Sequence, residues 1–105
     1  MIPPPNVLIG DSDLMAELRQ ILASGKTHLL TRDALSQIIQ RCILGDITSE
    51  TLTEWANGAE MRDEIDYEIG VEAHIADVMF ELSTPEINGD LSVAKLQALL
   101  ERLRA

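Results

Sequence analysis

Apolar residues in this chain recur at helical intervals, and that spacing limits the fold more than any other feature. Leu14, Met15, Leu18, Ile21 and Leu22 fall at i, i+1, i+4, i+7 and i+8, which puts them on one stripe of an amphipathic helix. Asp11 or Ser12 stands where an N-cap belongs and Gly25 follows the end, so the spacing predicts a helix over 12–24. The stripe returns in Leu35, Ile38, Ile39, Cys42 and Ile43, entered through Thr31 with Asp33 in the first turn and closed by Gly45. Thr48 then caps a third helix that carries Leu52, Trp55, Ala56 and Ala59 inward.

A fourth stripe joins Val71, Ile75, Val78 and Leu82, and Ala76, Met79 and Phe80 widen it. A helix apolar around so much of its circumference belongs at the centre of a bundle. Its exposed line is expected along Gly70, His74, Asp77 and Glu81, and its start near Asp63 to Tyr67, with Gly70 weakening the first turns. Pro85 stops it, and Asn88-Gly89-Asp90 is a turn signal. Ser92 caps a last helix that faces Val93, Leu96, Leu99, Leu100 and Leu103 inward, with Leu91 and Leu96 spaced as a hydrophobic staple. No stretch is read as sustaining the period-two alternation of a strand. The expectation is all-α: an extended Pro-rich segment over 1–10, containing Pro3 to Pro5, then a single-domain bundle of about five short helices over 11–105.

Composition supports a packed core. With 105 residues and 46% hydrophobic content, such a chain buries roughly 60–70% of its unfolded surface without a disulfide or structural metal. Cys42 is the single cysteine, so no disulfide forms within one chain, which suits a reducing cytoplasm. No run approaches the ~20 apolar residues of a membrane span. The first ten residues lack the basic start of a secretory signal. A cytoplasmic protein that does not enter membranes is expected.

The charge is concentrated. Of 18 acids and 8 bases, thirteen acids and one base lie between Asp46 and Asp90. The densest part is Glu60, Asp63, Glu64, Asp66, Glu68 and Glu72, relieved only by Arg62. Two readings fit this run. It is a solvated face, helped by Asp63, Glu64 and Asp66 complementing the dipole at the start of the fourth helix. Or it docks a basic protein, with Tyr67 and Ile65 or Ile69 as apolar anchors among carboxylates. A net charge of −10 repels phosphate backbones, so nucleic acid is not an expected partner.

Chemistry finds little support. His28 lies in the link between the first two helices and His74 on an exposed line; no Cys or His accompanies either at metal-site spacing. Cys42 on an apolar stripe reads as an inert thiol, and Trp55 as core. No GxSxG, GxGxxG or GxxxxGK[ST] occurs. No catalytic residue, cofactor or metal is expected; an enzyme would need a pocket where His74, Asp77 or another acid converges.

The run Leu44-Gly45-Asp46-Ile47-Thr48-Ser49-Glu50, followed by Glu54-Trp55-Ala56-Asn57, resembles a pattern in small acidic all-helical bacterial proteins, among them immunity proteins of toxin systems. Arg62 to Glu68 and Pro85 to Gly89 extend the likeness, which spans Leu44 to Gly89. Immunity proteins against nuclease toxins are similar in strategy: small acidic helical inhibitors that mask a basic toxin. The tyrosine pair flanked by acids that marks colicin DNase inhibitors is absent, since Tyr67 stands alone. The resemblance implies a non-catalytic inhibitor. The residues themselves nominate Glu60, Asp63, Glu64, Asp66, Tyr67, Glu68 and Glu72 as the partner-binding set. The alternative is a structural or adaptor domain that homodimerises or binds through an apolar groove.

Overall fold

The computed structural model describes residues 13–24, 26–60 and 64–104. The Pro-rich segment over 1–10, the Asp11 and Ser12 caps, Gly25 and Asp63 lie outside them. In chain order the elements are α1 (Leu14–Ser24), β1 (His28–Leu30), α2 (Arg32–Ile43), α3 (Ser49–Glu60), β2 (Ile65–Tyr67), α4 (Glu72–Ser83), α5 (Pro85–Asn88) and α6 (Val93–Arg104). The fold is all-α, with a minimal sheet added. The structure adds three elements to the expectation: Pro85 opens a one-turn helix instead of a simple stop, and two three-residue strands pair in parallel.

Side-chain capping sets most helix starts, because the first backbone N–H groups of a helix have no partner within it. Asp13 Oδ1 accepts from the backbone N–H of Met15 and Ala16 at 3.1 Å, so Asp13 itself caps α1. Thr31 accepts from Ala34, Thr48 from Thr51 and Ser92 from Lys95, as their positions predict. The end of α2 is a Schellman motif. Gly45 at φ +87° donates to the Cys42 carbonyl and Asp46 to that of Arg41, a reversal that a residue with a Cβ makes only under strain.

The inward stripes meet in one core. Leu35, Ile38, Ile39, Leu52, Trp55, Ile75, Val78, Met79, Leu82, Leu99 and Leu103 are fully buried. Helix α3 packs most extensively against α4, α2 against α6, and α1 against α3. At the last of these contacts a Cβ on Gly58 would stand 2.7 Å from Leu18 Cδ2, so the missing side chain permits the close approach. Helix α4 is central, touching α3, α5, α6 and β2. No helix among the described residues is long and apolar enough to cross a membrane.

Glu81 overturns its expected place on the exposed line of α4. It is buried, at 9% exposure, where α6 crosses. Lys95 donates to its Oε1 at 2.5 Å and Arg102 donates to its Oε2; Arg102 also lies 3.9 Å from Asp77. Helical periodicity cannot show this, because the burial comes from α6. Burial alone would raise the Glu81 pKa, but the hydrogen bonds and charges of Arg102 and Lys95 outweigh it and hold the carboxyl below its ordinary range. A carboxyl depressed in the folded state stabilises fully above its unfolded pKa, and the stabilisation is lost as pH falls through the folded one. Glu81→Gln should therefore cost about 1–3 kcal/mol at neutral pH, less than a fully buried pair because Arg102 is half exposed. Urea titrations at neutral and acidic pH check this: the gap between wild type and variant should narrow in acid, and an equal gap at both would refute the assignment.

Candidate acidic interface

The acid-rich segment does not begin α4. Glu64 to Ile69 alternates acid with apolar residue, and its middle is β2. The pairing registers His28 with Ile65, Leu29 with Asp66 and Leu30 with Tyr67. His28 donates its backbone N–H to the Glu64 carbonyl at 2.6 Å, and Glu68 donates to that of Leu30 at 3.0 Å. Because successive strand residues face opposite sides, Leu30, Ile65 and Tyr67 turn toward the core while Asp66 is exposed. The chain then reverses through Gly70, at φ +96°, into α4. Glu64 and Asp66 thus lie outside the first turn of α4. Its N-cap is Val71, with no side-chain bond.

The seven nominated residues separate by role. Glu68 is structural: its Oε1 accepts from the Arg32 backbone N–H at 2.8 Å, so its charge sits at the positive end of α2. Glu72 Oε1 accepts from the Gly70 N–H at 2.7 Å and holds the turn before α4. Glu60, exposed at the end of α3, accepts from Ser83 Oγ at 3.1 Å. Glu64 is half-buried, and its Oε2 has no hydrogen-bond partner among the described residues. Asp66 is exposed and makes no side-chain hydrogen bond or ion pair to the described residues. Half-buried Tyr67 has its pKa pushed up by burial and then by the Glu60 charge, so its phenol stays neutral and a hydrogen-bond donor.

Asp66, Tyr67 and Glu72 come together with Leu29, Ile65 and Ile69 around an open cleft of about 430 Å³. Ile69 is 89% exposed at its rim. Among the described residues, ion pairs join only α4 to α6, so none of Glu60, Glu64, Asp66, Glu68 or Glu72 has a cationic partner there. Leu29, missed in the sequence, reaches the cleft only through pairing across 36 intervening residues. The period-two run Glu64-Ile65-Asp66-Tyr67-Glu68-Ile69 was the signal that could have identified β2.

Other chemistry-bearing groups are dispersed. His74 and Asp77 are exposed on α4, and His28 Nδ1 lies 3.0 Å from the Lys26 carbonyl. The described residues include no group of three or more His, Cys, Asp or Glu that could hold a metal. Half-buried Cys42 has its thiol pKa raised by burial and then by Glu50, away from thiolate reactivity. A second cleft of about 590 Å³ is bordered by Glu50, Glu54 and Asp90, and among the described residues no histidine, cysteine, lysine or arginine lines it. No family model, curated protein or solved structure matches this chain.

The division of the acids is testable by stability alone. Glu68→Ala should lose about 0.5–2 kcal/mol by removing a bond and a charge from the N-terminus of α2. Asp66→Ala should stay within about 0.5 kcal/mol. Urea unfolding of the two variants checks the difference, and equal effects would refute it.

Proposed function

We propose that this chain is a non-catalytic binding protein, an inhibitor of immunity type, whose acidic surface around β2 and the α3 end masks a basic protein in the cytoplasm. The observation that carries the reading is Ile69, 89% exposed beside half-buried Tyr67, within carboxylates that have no cationic partner among the described residues. Desolvated apolar anchors supply most binding energy, while surrounding charges set encounter rate and partner choice. Carboxylates this close repel one another, and at physiological salt, with a Debye length of about 8 Å, that repulsion is only partly screened. A basic partner would relieve it, and the same field would steer the partner in.

Affinity capture from a cell extract should retain a basic protein at low salt and release it at high salt. Asp66→Lys with Ile69→Ser should weaken capture roughly tenfold or more while leaving the unfolding midpoint unchanged, since neither side chain supports the core. A partner bound equally at both salt concentrations and by the variant would overturn the reading in favour of an adaptor or homodimer that associates elsewhere.

A further inference from the structure

Resting on that reading, we propose that the outer edge of β2 accepts an extended segment of the basic partner as a third strand. In a parallel ladder, alternate residues direct their backbone groups to one neighbour. The bonds from His28 to Glu64 and from Glu68 to Leu30 fix which ones. Glu64, Asp66 and Glu68 therefore face β1, and the N–H and C=O groups of Ile65 and Tyr67 face away from it. No hydrogen bond to any of these four groups is found among the described residues.

A sheet edge whose backbone groups lack hydrogen-bond partners is a template for another chain, and strand addition is a recurring mode of peptide recognition. Here the edge adjoins the cleft walled by Leu29, Tyr67, Ile69 and Glu72. An added strand would alternate its side chains between the two faces of the sheet. On the outward face basic residues would lie alongside Asp66, and on the other face apolar residues would lie alongside Ile65 and Tyr67. That complementarity selects a lysine- or arginine-bearing partner segment over a second copy of this chain, whose own β2 region is acidic. With two donors and two acceptors on offer, the edge supplies register and orientation while the charges supply steering.

The probe is a labelled octapeptide of alternating lysine and valine, titrated into the full chain with residue-resolved amide exchange. Binding should slow exchange at Ile65 and Tyr67 at least tenfold, with little change at Asp66 and Glu68, whose amides already face β1. Methylating alternate peptide nitrogens should weaken binding at least tenfold, as should exchanging lysine for glutamate. No binding, or equal binding by the methylated peptide, overturns strand addition. Protection of Ile65 and Tyr67 in the free chain overturns it too, because the edge would then be taken by a second copy or by residues 1–12. Peptide binding that Asp66→Lys abolishes but that leaves these two amides unprotected removes the strand and keeps the acidic docking surface. Capture that fails in the extract while the peptide binds with protection removes the inhibitor reading and keeps the edge.

Discussion

Every element that shapes the candidate interface leans, directly or through one neighbour, on the apolar face of α4. Ile75, Val78, Met79 and Leu82 are fully buried, and α3, α5, α6 and β2 all contact this helix. Burying four such side chains against the surrounding elements explains why a short helix with no side-chain N-cap is nevertheless stable. Hydrophobic burial outweighs the terminal groups it leaves to the turn at Gly70. The same crowding encloses Glu81, a charge that only Lys95 and Arg102 on α6 make tolerable.

The small sheet has a different role. Three-residue strands contribute little stability by themselves, but their pairing brings residues 37 positions apart into one wall. It presents Asp66 outward, turns Tyr67 toward the core and carries Glu68 to the first free N–H of α2. One acidic run is thereby sorted. Glu68 and Glu72 satisfy backbone donors, while Asp66 and Glu72 stand at the cleft without a cationic partner among the described residues. The proposed interface is centred on these two cleft carboxylates and exposed Ile69.

The period-3.6 stripes and the Thr31, Thr48 and Ser92 caps were legible because each is settled within one or two helical turns. So was the central position of α4, although Ala76 and Phe80, expected to widen its buried surface, are exposed, as is Val93, expected to face inward from α6. The fate of Glu81 was not legible, because its burial comes from a helix fourteen residues away. Strand β2 was missed for a related reason: its alternation is brief, and the acids within it resemble a helix start until a pairing partner is known.

The amino-acid sequence by itself determined the all-α class, the helix boundaries set by capping, and the acidic excess between Asp46 and Asp90. These follow from local periodicity, hydrogen-bonding side chains and composition, which require no knowledge of distant contacts. Tertiary structure alone decided which acids are structural and which face the cleft, that Glu81 is clamped, and that His28–Leu30 pairs with Ile65–Tyr67. A carboxylate has the same charge wherever it lies in the chain. What it does depends on whether folding brings a backbone N–H, a cation or only solvent to its oxygens.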